Sequence, residues 1–332
     1  MNILVTGGAG YVGSVCAEIL ITRGHAVFVF DNLSVGYRRA VPQSAVFFEG
    51  DLADRQALDR LFAAHQIEAV MHFAAFALVE ESVRKPSAYY VNNVANSIQL
   101  LDAMVRRGVK KLIFSSSAAI YGEPKIAPIP EEHQAAPINP YGHTKLTFER
   151  ILEDCGAATG LQYACLRYFN AAGATRERGE DHRPETHLIP ILLQVALGQR
   201  PNLPINGTDY PTHDGTCIRD FVHVFDIAEA HVLALDQLER ISGHVFNIGS
   251  NRGHSVREAL ETARRVTGHP IPVVEASRRP GDPAILVASS QKTERVLGWR
   301  PQFSNLSTII ESAWAWKQKF PFGYGEDRQA AP

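Results

Sequence analysis

Short apolar runs alternate with helical patterns through the first half of the chain. The runs are rich in β-branched and aromatic residues and are bounded by turn residues, which is typical of strands buried on both faces of a parallel sheet. They predict strands at residues 3–5, 26–30, 46–48, 69–73, 111–114 and 163–167. Apolar positions three and four residues apart predict helices after Gly13, over residues 57–64, over residues 87–107 up to Gly108, and from Tyr141 onward.

This alternation predicts an α/β fold, a Rossmann-type doubly wound parallel sheet. The pattern changes after about residue 174, where Gly- and Pro-containing loops separate shorter elements. We therefore predict a Rossmann domain over residues 1–175 and a smaller C-terminal α/β substrate domain over residues 176–332, with residues 222–248 returning to the first domain. In the returning segment, Asp226 is predicted to cap a helix that ends near Leu238, and residues 244–247 to add a strand.

Composition narrows the classes of partner and compartment. The 332 residues are 45% hydrophobic and 20% charged, with a formal net charge of −2, so neither nucleic acid nor an anionic membrane is expected as a partner. No apolar stretch is long enough to span a bilayer, and the chain starts in a predicted strand rather than a signal segment. The four cysteines show no metal-binding or redox spacing. We predict a cytoplasmic protein without a metal site.

The first predicted strand is followed directly by a turn with the pattern Gly-x-Gly-x-x-Gly, which ends at Gly13. Strand, glycine turn and helix together place a pyrophosphate against a helix N-terminus, where a Cβ would block the approach of the backbone. An isolated glycine pattern is weak evidence, because such turns also occur without a ligand. Here the second strand ends at Asp31, where a carboxylate can accept hydrogen bonds from ribose hydroxyls and repel a 2′-phosphate. The sequence therefore predicts NAD rather than NADP, with Arg38 and Arg39 as solvated loop charges.

The strongest group of candidate catalytic residues is Ser117, Tyr141 and Lys145. Tyr141 and Lys145 are four residues apart near the start of a predicted helix, so they share one face and the ammonium can lie near the phenol. A nearby cation stabilises phenolate and lowers a tyrosine pKa that is otherwise about 10, which makes Tyr141 a candidate general base. Ser117 stands at the end of a strand, where its hydroxyl can orient or relay the proton. A Tyr-x-x-x-Lys pair alone is more often a surface pair, and its combination with the glycine turn favours catalysis.

Motifs along nearly the whole chain carry a family resemblance. In the first half they are Gly-Gly-Ala-Gly-Tyr-Val-Gly-Ser, Asp31-Asn32-Leu33, Gly50-Asp51-Leu52, His72-Phe73-Ala74-Ala75, Asn92-Asn93-Val94, and the serine run with Tyr121-Gly122, Tyr141 and Lys145. In the second half they are Arg167-Tyr168-Phe169-Asn170, His187-Leu188-Ile189-Pro190, residues 209–216, Arg219-Asp220-Phe221-Val222-His223 and Arg278-Arg279-Pro280-Gly281-Asp282. On these motifs the chain resembles the extended short-chain dehydrogenase/reductases, and among them the UDP-glucose 4-epimerase family.

The resemblance implies an NAD-dependent isomerase that interconverts UDP-glucose and UDP-galactose by transient oxidation of the sugar at C4, with proton chemistry at Tyr141, Lys145 and Ser117. The cofactor-binding residues that it implies are Gly7, Gly10, Tyr11, Val12, Gly13, Asp31, Asn32, Asp51, Leu52, Phe73, Ala74, Ala75, Asn92, Ser115, Tyr141, Lys145 and Tyr168. The implied substrate-binding residues are Ser117, Tyr141, Asn170, His187, Leu188, Arg219, Arg279 and Asp282. A homodimer is also implied, in which the helix over residues 87–107 and the helix that opens at Tyr141 pair with their copies.

Four positions are compared with the residues commonest in that family. One is Phe221, which stands where a tyrosine is usual. Ala77 stands where many members have a lysine, His187 where many have an asparagine, and Leu286 is of intermediate size at a position linked to acceptance of N-acetylated sugars. The identity of the sugar in the substrate is therefore not decided by the sequence. An NAD-dependent epimerase acting on UDP-GlcNAc, a UDP-uronate or a UDP-pentose is an alternative.

Two further alternatives share the predicted cofactor half. One is a nucleotide-sugar dehydratase or decarboxylase. A dehydratase needs an acid pair directly after the strand-terminal serine, whereas Ala118 and Ala119 follow Ser117, which disfavours elimination of water. The other is a non-catalytic NAD-binding sensor. Such proteins usually lack the tyrosine or the lysine, and both are present here as Tyr141 and Lys145.

Overall fold

The structure of the protein is a computed structural model that describes residues 1–279 and 282–325. One sequence motif and one predicted domain include residues outside these ranges. Pro280 and Gly281 belong to the last motif, and residues 326–332 to the end of the predicted second domain. No helix within the described ranges is long and apolar enough to cross a membrane.

Strands and helices alternate through the first half and become shorter in the second. The strands are β1 (Asn2–Thr6), β2 (Ala26–Asp31), β3 (Val46–Glu49), β4 (Ala69–His72), β5 (Lys111–Ser117), β6 (Gln162–Tyr168), β7 (Asn170–Ala172), β8 (Leu203–Asn206), β9 (Ile218–Arg219), β10 (Phe221–His223), β11 (His244–Ile248), β12 (His254–Ser255), β13 (Val273–Ala276) and β14 (Ile285–Leu286). The helices are α1 (Tyr11–Thr22), α2 (Arg55–Ala64), α3 (Val79–Arg84), α4 (Pro86–Tyr90), α5 (Asn96–Arg107), α6 (Pro140–Thr159), α7 (Leu188–Ala196), α8 (Val224–Asp236), α9 (Leu238–Ile241), α10 (Val256–Thr267), α11 (Gln291–Leu297) and α12 (Leu306–Lys319).

Seven strands form one sheet in the order β3-β2-β1-β4-β5-β6-β11, and all neighbours in it run parallel. In β1, Ile3, Leu4 and Val5 are fully buried, with Ile3 and Val5 on one face of the sheet and Leu4 on the other. Strand order reverses between β1 and β4, so a crevice opens at the carboxyl ends of these two strands. The predicted α/β fold with a doubly wound parallel sheet is confirmed.

Helices cover both faces of this sheet and form two separate cores. One core includes Val15 and Leu20 of α1 with Ile227 and Val232 of α8. The other includes side chains of α2, α5 and α6, namely Leu58, Leu61, Leu100, Met104, Phe148 and Leu152. In α2, α5 and α6 the named residues are spaced by three or four positions, which is the period of one helical face, whereas α8 is buried at nearly every position.

The second half of the chain builds a smaller core of its own. It packs α7, α10 and α12 with β8, and its members include Ile189, Leu192, Leu203, Leu260, Ile309 and Ile310. Three small sheets lie in this half, β7 with β10, β9 with β12 and β14, and β8 with β13. In contrast, β11 pairs with β6, so the strand predicted at residues 244–247 joins the large sheet. The division of the chain into two domains stays a prediction.

Asp226 does not cap its helix, and this part of the sequence analysis was wrong. The helix α8 begins at Val224 and its N-cap is His223, whose ring accepts a backbone hydrogen bond. The Asp226 carboxylate instead accepts hydrogen bonds from the backbone N–H groups of Gln302 and Phe303, at 2.8 and 2.9 Å. It thereby fastens the segment after α11 to α8.

The helix predicted over residues 87–107 has a more complex form. It begins at Pro86, passes through a π-helical turn at Val91–Ala95 and ends at Arg107. Gly108 follows in the left-handed conformation, with φ +70°. A glycine that ends a helix commonly adopts this conformation, as predicted for Gly108. A π turn widens a helix locally and is frequent at functional sites. This one carries Asn92, a predicted cofactor residue.

We expect Gly7→Ala to destabilise the protein far more than Gly108→Ala. Both glycines have a positive φ, +73° and +70°, but an added Cβ lies 2.5 Å from the backbone nitrogen of Ala74 at Gly7 and meets nothing within 4 Å at Gly108. The left-handed conformation alone costs about 1–2 kcal/mol, and the clash with backbone adds about 1–3 kcal/mol. Urea unfolding of both variants measures the difference, and equal losses would contradict the close packing at Gly7.

Candidate active site

The carboxyl ends of parallel strands carry most of the predicted cofactor residues to one edge of the large sheet. β2 ends at Asp31, β3 just before Asp51, β4 just before Phe73, β5 at Ser117 and β6 at Tyr168. Because these strands are parallel neighbours with β1 among them, their ends lie side by side. The reversal of strand order between β1 and β4 lies at the middle of this edge, which is where ligands bind in doubly wound sheets.

The turn between β1 and α1 leaves the start of the helix without a side-chain cap among the described residues. Gly10 is the N-cap residue, in an extended conformation, and the first turn of α1 has no acidic side chain. A Cβ on Gly13 would lie 2.3 Å from the carbonyl oxygen of Gly7, so glycine is needed for this close packing. Free N–H groups and the helix dipole favour an anion at such an end. The turn, with the N–H groups of Tyr11 and Val12, therefore fits a pyrophosphate.

Asp31 holds the glycine turn against the end of β2. Its carboxylate accepts hydrogen bonds from the backbone N–H groups of Ala9 at 3.0 Å and Leu33 at 2.9 Å. Burial raises the pKa of Asp31, and these two hydrogen bonds oppose the rise. A carboxylate has about four lone-pair positions, so each oxygen keeps room to accept from a ligand hydroxyl. Leu33 has φ +57°, and the hydrogen bond from its N–H group to Asp31 stabilises that uncommon conformation.

Asn32 and Asp51 meet beside Asp31. Asn32 Nδ2 donates to Asp51 Oδ2 at 2.7 Å, and Leu52 is buried next to them in the chain. Three polar groups from the ends of β2 and β3 therefore gather at one end of the crevice. A carboxylate and an amide there can accept from, and donate to, the polar edge of a nucleoside.

Arg38 and Arg39 are exposed, but they are not simply solvated as predicted. The Arg38 guanidinium lies 4.5 Å from the centre of the Phe47 ring, and Arg39 Nη1 donates to the carbonyl oxygen of Tyr324 at 2.8 Å. Sequence spacing did not reveal either contact, because the partners belong to a neighbouring strand and to the end of the chain.

Residues 73–75 follow β4 and lie directly beside the glycine turn. Their backbone packs so closely against Gly7 that the nitrogen of Ala74 lies 2.5 Å from the place of an added Cβ. Asn92 lies in the π-helical turn, where its Nδ2 donates to Asn93 Oδ1 at 2.9 Å. The structure thus places Asn92 on a different element from the strand ends, and only partly buried.

The structure brings Ser117, Tyr141 and Lys145 together between β5 and α6. Tyr141 and Lys145 are buried, and Lys145 Nζ lies 5.8 Å from the centre of the Tyr141 ring. Lys145 Nζ donates to the carbonyl oxygen of Ser115 at 2.8 Å, while the Ser115 and Tyr168 hydroxyls share a hydrogen bond of 2.6 Å. The Ser117 side chain lies close enough to the Tyr141 hydroxyl to influence its protonation. These groups can accept, hold and return one proton.

Burial dominates the protonation of this group. It raises the pKa of the Tyr141 phenol, and the nearby Ser117 side chain acts in the opposite direction. Burial also lowers the pKa of the Lys145 ammonium to about 7, although the Glu149 carboxylate acts to raise it. The expectation that Lys145 lowers the pKa of Tyr141 is therefore wrong for the protein by itself. Desolvation dominates at both groups, and Lys145 is only partly charged at neutral pH.

A buried ion pair that was not predicted from the sequence contacts the serine run, which is residues 115–117. Arg167 on β6 donates to both oxygens of Glu149, at 2.9 and 2.5 Å, and Ser116 Oγ donates to Glu149 Oε1 at 2.6 Å. Glu149 lies one helical turn beyond Lys145 on α6. A signal was present, because Tyr141, Lys145 and Glu149 repeat at four-residue spacing along one helix face.

Two predicted substrate residues from distant parts of the chain form an ion pair. Arg219 Nη2 contacts Asp282 Oδ1, and Arg219 is 9% exposed. Asn170 lies on the adjoining β7, which pairs with β10, the strand directly after Arg219. Arg279 is exposed, and its carbonyl oxygen accepts from the backbone nitrogen of Asp282 at 3.3 Å. The structure therefore joins Arg219 to Asp282 and leaves the Arg279 side chain at the surface.

His187 and Leu188 lie where the chain enters α7, and the His187 ring already has acidic partners. Its Nδ1 lies 2.9 Å from Glu185 Oε1 and 2.9 Å from Glu180 Oε1. Burial disfavours the charged imidazole, yet these two carboxylates outweigh that effect and raise the pKa of His187. The backbone N–H of His187 donates to the same Glu185 oxygen at 2.9 Å, so both its ring and its N–H group belong to this acidic cluster.

Comparisons with known proteins agree with this geometry. The sequence profile of the NAD dependent epimerase/dehydratase family matches residues 3–249. A curated relative named UDP-glucose 4-epimerase, from Halalkalibacterium halodurans, is 52% identical over 333 residues, which cover 99% of this chain and 99% of that protein. A match of this length and identity includes both the cofactor edge and the Arg219–Asp282 region.

Two solved structures are also similar over nearly the whole chain. One, a crystal structure of UDP-glucose 4-epimerase, is 50% identical with a TM-score of 0.96 and covers 98% of this chain and 100% of that one. The other, UDP-glucose 4-epimerase from Bifidobacterium longum in complex with NAD+ and UDP, is 37% identical with a TM-score of 0.93, again covering 98% and 100%. The resemblance seen in the sequence motifs is confirmed. The chain belongs to the NAD dependent epimerase/dehydratase family.

Proposed function

We propose that this chain is a UDP-sugar 4-epimerase that interconverts UDP-glucose and UDP-galactose with tightly bound NAD. One observation carries the proposal. A buried Tyr141, beside Ser117 and with Lys145 Nζ 5.8 Å from its ring centre, lies at the same sheet edge as the glycine turn and the start of α1, which has no side-chain cap among the described residues. Relatives named for this activity, one of them holding NAD+ and UDP, support the assignment.

The residues of the crevice suit NAD. The glycine turn and α1 offer N–H groups to a pyrophosphate, and Asp31 offers carboxylate oxygens to ribose hydroxyls and disfavours a 2′-phosphate. When bound, NAD supplies the acceptor and donor of hydride at the sugar's C4 and, in its oxidised form, a positive charge that favours phenolate at Tyr141. Because the reaction involves no net oxidation, we expect one NAD to remain bound over many turnovers.

Tyr141 is the residue that accepts the proton of the C4 hydroxyl and later returns it. Ser117, beside the same phenol, orients the sugar hydroxyl towards it. Lys145 lies over the Tyr141 ring and is held there by its hydrogen bond to the Ser115 carbonyl. When the phenol loses its proton, the phenolate and the Lys145 ammonium stabilise each other. The Glu149–Arg167 pair fixes the strand that carries the serines and thereby keeps these distances.

The UDP group is proposed to lie along the strands after Arg167, where Asn170, Leu188 and Arg219 come from three different elements. Arg219 can bind diphosphate through charge-assisted hydrogen bonds, and Asp282 keeps its guanidinium oriented. Held at this end only, the sugar is free to turn and to present either face of C4. This freedom is what makes inversion at C4 possible on one bound substrate.

We also propose a cytoplasmic homodimer, with domains at residues 1–175, including 222–248, and at residues 176–332. Exposed apolar side chains on the segment from α3 to the π-helical turn support the dimer, since Val83 is 62% and Val91 57% exposed. Exposed apolar side chains on neighbouring segments of the chain are frequent at protein contacts. The four cysteines are free thiols, which supports a reducing compartment.

Tyr141→Phe should abolish most turnover while leaving binding nearly intact, because only the proton-transferring hydroxyl is lost. We expect the rate of conversion of UDP-galactose to UDP-glucose to fall by about 100- to 10,000-fold. Calorimetric titration with UDP should give almost the wild-type affinity.

Tyr163→Phe is the matched control, because Tyr163 lies on β6 with its ring in the core that α2, α5 and α6 share. It should retain the wild-type rate. Near-normal activity of Tyr141→Phe would show that another group is the base. Running the same assay with the N-acetylated UDP-sugars identifies which sugars are accepted.

Lys145 should make stability rise with pH. Its pKa is about 7 in the folded chain and ordinarily 10.5, so between these values the unfolded chain binds more protons and folding becomes more favourable as pH rises. Relative to Lys145→Met, the wild-type free energy of unfolding should increase by about 2 kcal/mol from pH 7 to pH 9. Urea unfolding at both pH values measures this, with Lys110→Met as a control at an exposed lysine. A constant difference would rule out strong desolvation of Lys145.

The dimer should dissociate when charge is placed on its proposed surface. The double variant Val83→Glu, Val91→Glu should sediment as a monomer at concentrations where the wild type is a dimer, because buried unpaired carboxylates oppose association. Val274→Glu, at a valine that is 51% exposed on β13, is the control and should sediment like the wild type. A double variant that stays dimeric would place the interface elsewhere.

A further inference from the structure

We propose that the loop before α7 binds one zinc ion through Glu180, His182, Glu185 and His187. The proposal concerns a site apart from the Tyr141 group and does not rest on the proposed activity. The cysteine spacing predicted that the protein has no metal site, and the proposal differs from that expectation. The four side chains come from eight consecutive residues, and one ligand atom from each lies within 4.8 Å of all the others.

The distances within this zinc cluster, as we call these four residues, suit a small four-coordinate cation. His187 Nδ1 lies 2.9 Å from oxygens of both Glu180 and Glu185, and His182 Nδ1 lies 3.2 Å from Glu180 Oε1 and 4.0 Å from Glu185 Oε2. A tetrahedral zinc ion with bonds of about 2.0–2.1 Å separates its ligand atoms by about 3.3 Å. The contacts at 2.9 and 3.2 Å are already close to this separation, whereas the widest pairs, up to 4.8 Å apart, must approach by about 1.5 Å to complete a coordination shell.

One nitrogen of the zinc cluster has an ion-pair contact but no well-oriented hydrogen bond. His182 Nδ1 is shielded from solvent and has no hydrogen-bond partner among the described residues, although Glu180 Oε1 is close to it. A buried polar atom of this kind costs free energy unless something satisfies it. A cation between the four side chains would bind this nitrogen and the carboxylates at once.

The second oxygen of Glu185 is positioned in a way that supports a metal ligand. Glu185 Oε1 accepts hydrogen bonds from the backbone N–H groups of Thr186 and His187, both at 2.9 Å. These bonds fix the orientation of the carboxylate and leave Oε2 directed to the side of His182. Groups that hold a ligand from behind are characteristic of metal sites in proteins.

The ligand chemistry selects zinc over the hard cations. Calcium and magnesium prefer a shell of oxygens, whereas two imidazole nitrogens with two carboxylate oxygens suit zinc. With neutral imidazoles the zinc cluster carries two negative charges, which a divalent ion neutralises. The buried Lys317 ammonium acts on Glu180 and Glu185 and opposes this attraction in part.

Neighbouring contacts indicate what the ion would stabilise. The His182 ring lies edge-on to Tyr11 of α1, with 6.5 Å between ring centres, and Asp181 accepts a hydrogen bond from Tyr324 N at 3.0 Å. His187 is followed directly by Leu188, the first residue of α7. Zinc would therefore fix the loop that joins the start of the dinucleotide helix, the end of the described chain and the proposed UDP side of the crevice.

The test is zinc binding by the full chain, stripped with a chelator, reloaded with Zn²⁺ and passed through a desalting column. We expect about one zinc per chain by mass spectrometry of the metal. His182→Ala and Glu185→Gln should each weaken binding by on the order of 100-fold or more. Co²⁺ loaded in place of zinc should give the intense visible absorption of a four-coordinate site, and both variants should lose it.

His213→Ala is the matched control. His213 Nε2 also lies near two carboxylates, 3.8 Å from Asp214 Oδ2 and 3.5 Å from Glu258 Oε1, but its side chain is 56% exposed. This variant should bind zinc like the wild type. Wild-type protein that retains no zinc, or a His182→Ala protein that binds as the wild type does, overturns the proposal.

Folding of the variants does not limit the test, because the wild type alone provides a second readout. X-ray absorption of the zinc-loaded wild type should show about four nitrogen or oxygen ligands with the outer-shell scattering of two imidazole rings, and sulfur ligands or the absence of imidazole scattering overturns the proposal. None of these readouts depends on epimerase activity. Loss of the proposed function would therefore leave the result on zinc intact, and the reverse is also true.

Discussion

The backbone of the turn after β1 packs directly against the backbone after β4, and the whole cofactor edge depends on that contact. Gly7 donates its N–H to the carbonyl oxygen of Phe30 on β2 at 2.9 Å, while its α-carbon faces Ala74 across a gap too small for a Cβ. The turn is therefore clamped between the strands on either side of β1. Strand order reverses at this point, so the same contacts form one wall of the crevice and direct the N-terminus of α1 towards it.

Burial determines the chemistry of the proposed proton-transfer group. In a dry site, a lone ammonium or phenolate is costly, so both Lys145 and Tyr141 favour their neutral forms. A few residues away, Glu149 and Arg167 remain charged because they satisfy each other. Removing one partner of such a buried pair costs about 3–5 kcal/mol, so this pair is a rigid support for the serine run. One face of α6 therefore carries Lys145, whose protonation can change near neutral pH, and Glu149, which is held in an ion pair.

Local patterns predicted a large part of the fold and the core of the candidate site. The first-half strands are where the apolar runs place them, because strands buried on both faces must be apolar at every position. Helical spacing put Lys145 on the face of Tyr141. The same reasoning failed for Asp226, since its partner Gln302 is 76 residues away and nothing near Asp226 in the chain signals it. It also missed Glu180 and His182, although they lie within eight consecutive residues with Glu185 and His187, because only the fold shows that these side chains converge.

The sequence by itself determined the doubly wound sheet, the glycine turn with Asp31 behind it, and the Tyr141–Lys145 helix face. These features are local, because each depends on residue types at short spacing within one element or one turn. Only the tertiary structure decided which distant groups become partners, such as Arg219 with Asp282 and Glu149 with Arg167. It also decided the protonation tendencies, because desolvation depends on the atoms packed around a group from many parts of the chain. Spacing along the chain carries no information about that packing.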